Sequence, residues 1–320
     1  MKPETILVTG CAGFIGKNFV EQFNRRYPKT KIIGIDNLST SYLPFKVPPY
    51  LKFYKGSICD EKTLDKIFSK HKPEYVFHFA ALPRVAFSVE HPAITTLANV
   101  YGTVSLLEKS RDYKVKRVMV SSSSSVYGGA KSLPTKENTS SPDPKSPYAL
   151  QKYVDEMFCK MFYDLYGLDS ALLRYFNVFG PESYGSSPYS TVVSAWLENL
   201  YFPTGKKSYL EGDGKQTRDM CYVDNVIEAN ICAMLAPKKL AADIFNVGSA
   251  ERFNLLEIKK LIEIKSSKQL DLEKRPPRLG DVRHTLADIT KAEKILKYRP
   301  VVNFEDGLSK TVEWFKKRKI

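Results

Sequence analysis

The sequence predicts an α/β protein built on a doubly wound parallel sheet, with a smaller C-terminal α/β domain. Runs of β-branched residues end in Gly or Asp, and each is followed by a helical period. The first of these runs leads directly into a glycine-rich turn. A parallel crossover needs a helix-sized connection, so this alternation implies parallel strands. At 320 residues, the chain is long enough for two domains.

Strands and helices alternate through the first 180 residues. The first helix carries apolar residues on roughly one face, Phe19 and Phe23 among them. The predicted strands are Thr5–Gly10, Lys31–Asp36, Leu51–Gly56, Tyr75–Ala80, Arg117–Ser123 and Ala171–Gly180. The predicted helices are Phe14–Tyr27, Glu61–Lys70, Ile94–Tyr113 and Tyr148–Tyr166.

The pattern is less regular after Gly180, which we take as the end of the first domain, residues 1–180. A segment at about 221–250 is expected to return to that domain, and residues 181–320 are expected to form most of the second. The elements predicted here are the helices Thr191–Asn199, Asp224–Leu235, Leu255–Ile264, Asp288–Leu296 and Phe304–Lys319, and the strands Arg218–Val223 and Asp243–Gly248.

Composition excludes several classes of protein. Apolar residues make up 43% and charged residues 26%, which is ordinary for a globular chain and excludes disorder and collagen-like repeats. No apolar run reaches the ~18 residues of a membrane span, and the N-terminus does not resemble a signal peptide. Five widely spaced cysteines indicate free thiols in a reducing compartment, so we predict a cytoplasmic location. The four histidines form no metal-ligand spacing, and no metal is predicted.

The net charge of +14 arises from 49 Lys and Arg against 35 Asp and Glu. The basic residues are scattered in pairs, which favours a solvated surface over a nucleic-acid or anionic-membrane interface. We therefore predict neither nucleic acid nor membrane as a partner. An acidic small-molecule substrate is compatible with this charge.

A glycine-rich turn at Gly10, Gly13 and Gly16 lies directly between a strand and a helix. Glycines there allow a tight turn, the approach of backbone N–H groups to a pyrophosphate, and close helix–strand packing, as in Rossmann-type dinucleotide sites. Asp36 ends the next strand, 20 residues beyond Gly16. A carboxylate there accepts hydrogen bonds from ribose hydroxyls and repels a 2′-phosphate, so NAD is favoured over NADP. Its neighbours are uncharged: Asn37, Ser39 and Thr40.

A candidate catalytic group combines Tyr148 and Lys152, which share one helical face at spacing i, i+4. A tyrosine has a pKa near 10, but a nearby ammonium and a positive nicotinamide ring both favour the phenolate. Lowering the pKa by roughly three units takes about 4 kcal/mol. Ser123 ends a predicted strand and is expected to hydrogen-bond the reacting oxygen.

Together these features resemble the extended short-chain dehydrogenase/reductase family over essentially the whole chain, and within it the UDP-sugar 4-epimerases, especially those acting on UDP-N-acetylglucosamine. The motifs are TGCAGFIG at 9–16, HFAAL at 78–82, SSSSVYG at 122–128, YALQK at 148–152, RYFNVFGP at 174–181, RDMCYVDN at 218–225 and LGDVRHTLAD at 279–288. The resemblance implies an NAD-binding first domain and a second domain for the UDP-sugar.

The resemblance also implies roles for individual residues. Ser123 would be the catalytic hydroxyl, Tyr148 the base, and Lys152 its partner, which also holds the nicotinamide ribose. Further cofactor contacts would come from Phe14, Ile15, Ser57, Ile58, Phe79, Ala80, Ala81, Asn99 and Tyr175. Substrate contacts would come from Arg84, Asn177, Val192, Tyr209, Arg218, Arg278, Asp281 and Thr285, with Asn177, Arg218 and Arg278 on the diphosphate or uridine and Asp281 on the uridine ribose.

Several positions separate the reactions of this family. The 4,6-dehydratases carry Asp-Glu after the catalytic hydroxyl, where this chain has Ser124-Ser125, and UDP-glucuronate 4-epimerases usually have threonine where Asn177 stands. The resemblance also implies that the position of Thr285 gates the sugar pocket, where a small residue leaves space for an N-acetyl group. Two departures are Ser57, where the family usually reads adenine with an aspartate, and Arg84, which could meet a carboxylate or phosphate.

We therefore predict an NAD-dependent isomerase acting at C4 of UDP-GlcNAc and UDP-GalNAc, with UDP-glucose and UDP-galactose as further candidates. Two alternatives are kept: another nucleotide-sugar enzyme of the family (a uronate epimerase, decarboxylase or reductase), and a non-catalytic NAD-binding module with a basic surface for RNA or a partner. The resemblance further implies a homodimer through the helices Ile94–Tyr113 and Tyr148–Tyr166.

Overall fold

A seven-stranded parallel sheet forms the centre of the protein in a computed structural model, which describes residues 2–41, 44–83, 85–129, 132–185, 191–203, 207–276 and 282–318. The strands are β1 (Thr5–Thr9), β2 (Lys31–Asp36), β3 (Leu51–Lys55), β4 (Tyr75–His78), β5 (Arg117–Ser123), β6 (Ser170–Tyr175), β7 (Val178–Phe179), β8 (Ser208–Glu211), β9 (Thr217–Arg218), β10 (Cys221–Tyr222), β11 (Asp243–Val247), β12 (Phe253–Asn254) and β13 (Leu272–Arg275).

Helices connect these strands and cover both faces of the sheet. They are α1 (Phe14–Arg26), α2 (Glu61–His71), α3 (Val85–Glu90), α4 (Pro92–Thr96), α5 (Gly102–Asp112), α6 (Pro147–Tyr166), α7 (Val192–Tyr201), α8 (Val223–Leu235), α9 (Leu255–Ser266), α10 (Thr290–Leu296) and α11 (Phe304–Lys317). A π-helical turn, Leu97–Tyr101, lies between α4 and α5, and a 3-10 turn, Ser124–Tyr127, follows β5.

The strand order of the central sheet is β11-β6-β5-β4-β1-β2-β3, with every neighbouring pair parallel. The chain winds outward in both directions from β1 and β4, and this confirms the predicted doubly wound Rossmann-type sheet. In such sheets ligands bind outside the carboxyl ends of the strands where the winding direction changes.

Two apolar cores flank the sheet because alternate side chains of each strand point to opposite faces. In β1, Ile6 and Val8 belong to one core and Leu7 to the other, and all three are fully buried. Burial on both faces explains why a central strand such as β1 is a continuous apolar run, whereas the edge strand β3 contains the exposed Lys52 and Lys55. The core containing Ile6 continues into the C-terminal elements, where Phe304 and Phe315 are also fully buried.

The segment predicted as one helix over Ile94–Tyr113 is instead divided. Pro92 occupies the first turn of α4, where a missing N–H costs nothing, and the π-helical turn then separates α4 from α5. Helix α3 precedes it, over Val85–Glu90. Turns of this wider kind often occur at functional sites, and this one contains Asn99.

The strand expected over Ala171–Gly180 ends at Tyr175, and its remainder forms β7, which pairs with β10 outside the central sheet. The strand expected over Arg218–Val223 is likewise two short strands, β9 and β10, in different small sheets. In both cases the chain leaves the regular strand at the edge of the site described below. Asn177, which follows β6, and Asp219, which follows β9, are thereby placed at the edge of this site.

The C-terminal part is interwoven with the first domain. Strand β11 lies at the edge of the central sheet beside β6, and α8 packs on α1. Strands β8 and β13 form a separate parallel pair, and β9 pairs with β12. The division into residues 1–180 with a returning segment and 181–320 stays a prediction.

None of the helices in the described ranges is long and apolar enough to cross a membrane. All five cysteines are free thiols, of which Cys11, Cys159 and Cys221 are buried. The cytoplasmic location stays a prediction.

Candidate active site

A cleft of about 690 Å³ opens at the carboxyl ends of the central strands. One end is formed by the glycine-rich turn after β1 and by Asp36 at the end of β2, and the other by Asn177, Arg218 and Thr285. Ser123 and Tyr148 also line it. The cleft thus contains groups from both halves of the chain, at the place where the sheet topology predicts ligand binding.

The glycine-rich turn has no room for a side chain at Gly10 or Gly16. Gly10 has a φ of +67°, and a Cβ on it would lie 2.6 Å from the backbone N of Ala80. A Cβ on Gly16 would lie 2.0 Å from the carbonyl oxygen of Gly10. Gly13 forms the N-terminal boundary of α1 without a side-chain cap, so the first N–H groups of the helix remain available to an anion.

Asp36 uses both carboxylate oxygens to fix this end of the cleft. Oδ2 accepts a hydrogen bond from the Ala12 N–H (2.9 Å), and Oδ1 accepts one from the Leu38 N–H (2.7 Å). The turn after β1 and the loop after β2 are thereby held together around one negative charge. The Ser57 hydroxyl, one strand further along, accepts a hydrogen bond from the Cys59 N–H.

Asn99 organises the loop after β4 from behind the cleft. It is fully buried, its Oδ1 accepts a hydrogen bond from the Leu82 N–H (2.7 Å), and its Nδ2 donates to the Leu82 carbonyl (3.2 Å). Nδ2 also donates to Gln151 on α6. The side chain predicted to line the nicotinamide side therefore clamps the backbone of a lining loop, with Ala98 beside it in the lining.

Ser123 and Tyr148 form the polar centre of the cleft. Ser123 Oγ accepts hydrogen bonds from the backbone N–H (3.2 Å) and hydroxyl (2.9 Å) of Ser125, which leaves its own proton for another acceptor. Tyr148 lies in the first turn of α6, and its N–H donates to Ser88 on α3 (3.0 Å). Ser146 caps the same helix by accepting from the Ala149 N–H. The ends of β5 and α6 thus bring the two hydroxyls together.

Burial raises the pKa of Tyr148 above its ordinary value of 10, although the Lys152 charge and a hydrogen bond from Ser123 act in the opposite direction. Desolvation of the phenolate outweighs the single ammonium in the protein alone. The lowered pKa expected from the sequence requires the charge of the nicotinamide ring as well, and it stays a prediction. The charge of Asp155 acts in the same direction as burial and also raises the pKa of Tyr148.

Lys152 lies one turn further along α6 and does not contribute to the cleft lining. Its ammonium is buried 3.2 Å from the Asp155 carboxylate. The attraction of Asp155 raises the pKa of Lys152 despite the opposing effect of burial. Lys152 is therefore a buried cation, and it is held by Asp155, which lies outside the predicted catalytic group.

The far end of the cleft is built around Asp219, which is fully buried. Its carboxylate accepts hydrogen bonds from the backbone N–H groups of Ser249 (2.8 Å) and Ala287 (3.0 Å) and from the Ser249 hydroxyl. Burial raises the pKa of Asp219 to about 6. Asn177 Nδ2 donates to the Asp219 carbonyl (2.9 Å), so the chain segments that carry Asn177 and Arg218 are fixed to the C-terminal loop.

Arg218 lines the cleft, and its Nη1 donates to the carbonyl oxygens of Thr217 and Arg283. Nδ1 of the neighbouring His284 forms a hydrogen bond with the Thr217 hydroxyl (2.9 Å). Arg218 thus places a guanidinium at the wall of the cleft, and a guanidinium is the group that binds phosphate oxygens through paired N–H groups.

Most residues that the sequence predicted for the site are brought together. For the cofactor, the lining contains Gly10, Gly13, Phe14, Ile15, Gly16, Asp36, Asn37, Ser39, Thr40, Ser57, Ile58, Phe79, Ala80, Ala81, Tyr148 and Tyr175. For the substrate it contains Ser123, Asn177, Arg218 and Thr285. Their individual roles stay predictions.

Other predicted residues lie elsewhere. Val192 packs against the apolar core and Tyr209 stacks under the Arg275 guanidinium at 4.1 Å, and neither of these two described residues lines the cleft. Arg84, Arg278 and Asp281 lie outside the described residues. Within the described ranges, no cluster of His, Cys, Asp or Glu is suited to hold a metal ion.

The cleft also contains residues outside the predicted set. Val85 from α3, Glu182 and Tyr184 from the loop after β7, and His284 all line it. Glu182 forms an ion pair with Lys17 on α1 (2.9 Å), which no sequence pattern predicts. For Asp155 a signal did exist, because position i+3 from Lys152 places both side chains on the same helical face.

The residues present fit a dinucleotide: a glycine turn without room for side chains, an uncapped helix N-terminus, and a carboxylate at the end of β2. The family described as the NAD dependent epimerase/dehydratase family matches residues 6–248. The chain belongs to this family. Membership confirms the predicted relationship to the extended short-chain dehydrogenases, the NAD cofactor, and an isomerase of the nucleotide-sugar 4-epimerase type.

Three relatives cover nearly the whole chain. A UDP-glucuronate 4-epimerase of Thermodesulfobacterium geofontis is 34% identical over 97% of this chain and 95% of its own. The UDP-glucose 4-epimerase of Thermotoga maritima, solved with UDP-glucose, is 38% identical with a TM-score of 0.91, over 98% and 99% of the two chains. The UDP-N-acetylglucosamine 4-epimerase of Methanobrevibacter ruminantium, solved with UDP-N-acetylmuramic acid, is 33% identical with a TM-score of 0.89, over 99% of each.

Proposed function

We propose that the protein inverts C4 of a UDP-hexose and that its preferred substrates are UDP-GlcNAc and UDP-GalNAc, with UDP-glucose and UDP-galactose also accepted. One observation carries the proposal: Ser123 and Tyr148 line a cleft with the glycine-rich turn and Asp36 at one end, and Asn177, Arg218 and Thr285 at the other. A dinucleotide and a nucleotide sugar can therefore meet at the phenol.

In this proposal the Tyr148 oxygen takes the proton from the C4 hydroxyl and later returns it. Ser123 donates a hydrogen bond to the same reacting oxygen, because Ser125 already occupies its acceptor side. When bound, NAD would accept the hydride that leaves C4 and return it later, so the sugar would pass through a 4-keto intermediate with no net oxidation. The positive charge of Lys152 favours the phenolate, which is the form of Tyr148 that can accept this proton.

Arg218 holds the uridine diphosphate while the sugar turns. The turn exposes the other face of C4 without release of the intermediate, since the diphosphate remains bound. Asn177 lies beside Arg218 in the cleft, with its two amide N–H groups donated to the Asp219 carbonyl and the Thr285 hydroxyl. Asn177 is itself fixed by the carbonyl of Asp219, so its position does not depend on the sugar. This arrangement is expected to retain substrates through the diphosphate and to tolerate rotation of the hexose.

The preference for an N-acetylated sugar rests on Thr285. It is small, it lines the cleft, and its backbone N–H donates to the Thr217 carbonyl, so its Cα is held in place. A larger side chain there would extend into the space of a 2-acetamido group. The relative from Methanobrevibacter ruminantium, named as a UDP-N-acetylglucosamine 4-epimerase, supports this choice.

A parallel assay of separate substrates tests the proposal. The purified protein, without added NAD, is incubated with UDP-GlcNAc, UDP-glucose or UDP-glucuronate, and proton NMR follows axial and equatorial C4 products. Interconversion of UDP-GlcNAc and UDP-GalNAc with the highest kcat/KM is expected. A preference for UDP-glucuronate would favour a uronate epimerase, the activity for which one relative is named. Carbon dioxide release or net NADH would indicate a decarboxylase or a reductase.

We further propose that two copies of the chain associate through α6 and the segment before α5. Leu150, Met157, Met161 and Leu165 form an exposed apolar stripe on α6, at a spacing that keeps them on one face. The adjacent segment contributes the exposed side chains Ile94, Leu97 and Tyr101. A contiguous apolar surface of this kind marks an interaction site, and a second copy presents the same surface in return.

A further inference from the structure

The buried ion pair between Lys152 and Asp155 has a feature that simple stabilisation of the fold does not explain. Their side chains are 3% and 1% exposed, and Lys152 Nζ lies 3.2 Å from Asp155 Oδ2. Burying two charges costs free energy, and apolar residues of similar size often stabilise a core as well or better. The pair lies one helical turn from Tyr148. A role in the chemistry of the site would explain its presence.

The second carboxylate oxygen of Asp155 increases the free-energy cost of burying the ion pair. Oδ1 is buried and has no hydrogen-bond partner among the described residues. The Thr103 hydroxyl nearby does not satisfy it, because its single proton is donated to the Asn99 carbonyl. A buried carboxylate oxygen without a donor is rare in folded proteins and calls for an explanation.

The groups around the pair leave Asp155 as the partner of Lys152. On α6 these groups are Tyr148, Glu156 and Cys159; on β4 there is His78, and on α5 Thr103. Glu156 is occupied by Arg174 (2.6 Å) and by the Ser122 hydroxyl. His78 is neutral, because burial lowers its pKa to about 3. In the described part of the chain, Asp155 supplies the carboxylate within ion-pair distance of Lys152.

We propose that Asp155 is a positioning residue of the active site, whose carboxylate fixes the Lys152 ammonium beside Tyr148. The proposal rests on the proposed role of Tyr148 as the base. The negative charge of Asp155 raises the pKa of both neighbours, Tyr148 and Lys152. Asp155 therefore shifts the pH range in which the phenol has lost its proton while the ammonium keeps one.

The test is the pH dependence of kcat/KM in the full-length protein with its retained cofactor. It is measured from about pH 5.5 to about pH 11, because the pKa of Lys152 is raised above its ordinary value of 10.5. The substrate is UDP-GlcNAc, or whichever UDP-hexose the wild type prefers. Asp155→Asn keeps the side-chain shape and removes the charge. The acid limb of the profile reports loss of the Tyr148 proton, and the alkaline limb reports loss of the Lys152 proton. Both limbs are expected to move to lower pH, by about half a unit or more, because the loss of a nearby negative charge lowers the pKa of Tyr148 and of Lys152.

Two other variants separate charge from structure. Asp155→Glu keeps a carboxylate, and its profile is expected to stay with the wild type. Glu156→Gln changes an equally buried carboxylate that binds Arg174, and it is expected to lower the melting temperature while the limbs stay in place. Should Asp155→Asn not fold, Asp155→Thr serves as the second neutral variant.

The outcomes are distinguishable. Limbs that stay in place, or that move to higher pH, in a folded neutral variant would overturn the role of Asp155 and leave the proposed function intact. A wild type without epimerase activity on any UDP-hexose would instead contradict the proposed function. A lower kcat with unchanged limbs would mean that Asp155 only stabilises the fold, which also overturns the inference.

Discussion

The Thr285 hydroxyl accepts hydrogen bonds from Asn177 Nδ2 (3.2 Å) and from the Asp219 N–H (3.1 Å). The residue at the sugar end of the cleft is therefore tied to the segment that carries Asn177 and Arg218. A change of side chain at Thr285 alters both the free space and the position of Asn177. Substrate choice and diphosphate binding are expected to be coupled at this point.

Thr285→Tyr is expected to lower kcat/KM for UDP-GlcNAc at least about tenfold more than for UDP-glucose, because steric exclusion in a pocket discriminates on this scale. Thr285→Ser, which keeps the hydroxyl and its two donors, is the matched control and is expected to retain the wild-type ratio. Equal losses on both substrates in the tyrosine variant would argue against a sugar gate. The measurement is steady-state kinetics with each UDP-sugar.

Tyr148→Phe removes the proposed base and is expected to lower kcat by about 10²- to 10⁴-fold, the usual contribution of a general base. Tyr153→Phe removes a phenol from the same helix and is expected to retain activity. Melting temperatures of both variants should stay close to the wild type. An active Tyr148→Phe variant would exclude the phenol from proton transfer and leave Ser123 to be tested.

Gly10 and Gly167 allow backbone strain to be separated from loss of space. Their φ angles are +67° and +70°, but a Cβ on Gly10 would lie 2.6 Å from Ala80 N, whereas nothing lies within 4 Å of one on Gly167. Gly167→Ala is expected to cost about 1–2 kcal/mol of stability and to keep bound NAD. Gly10→Ala is expected to cost more and to lose NAD, measured by cofactor released on denaturation. Full NAD content in Gly10→Ala would mean that the turn tolerates a shift of Ala80.

The buried His78 predicts loss of stability in acid. Its ring nitrogens contact the Thr9 hydroxyl (2.8 Å) and the Thr103 hydroxyl (2.9 Å), and burial lowers its pKa from 6.5 to about 3. Below pH 6.5 the unfolded chain binds a proton that the folded chain excludes, so the free energy of unfolding falls as the pH falls. From pH 6.5 to about pH 5 the loss amounts to about 2 kcal/mol.

Urea denaturation at pH 7.5 and pH 5 measures this loss, with His78→Gln as the comparison. The amide offers hydrogen bonds without titrating, so the variant is expected to lose about 2 kcal/mol less than the wild type over this interval. Asp155 and Asp219, with pKa values raised to about 6, act in the opposite direction in both proteins. Parallel losses in the two proteins would show that His78 does not govern this transition.

Met161→Lys is expected to convert a dimer to a monomer, because it places a charge in the middle of the apolar stripe on α6, where Met161 is more than half exposed. Ile264→Lys on α9 changes an equally exposed apolar residue outside that stripe and is expected to leave the mass unchanged. Light scattering during size-exclusion chromatography gives both masses. A wild-type monomer at micromolar concentration would refute the proposed association.

The sequence alone determined the parallel sheet, its first six strands and the groups at their carboxyl ends. The reason is physical: buried parallel strands are apolar runs, and a turn at Gly10 that excludes side chains leaves a recognisable pattern. Tyr148 and Lys152 were also accessible, since one helix face is a local property. The family motifs placed Asn177 and Thr285.

Only the tertiary structure decided how these groups are held and charged. The net pKa of Tyr148 depends on burial and on Asp155, which no spacing rule weighs against Lys152. The predicted helix is divided at the turn containing Asn99, and the Asn99 side chain contacts the loop after β4, which is distant in sequence. Local patterns determine which backbone geometry each segment prefers, whereas desolvation and contacts between distant segments depend on all the elements packed around a group.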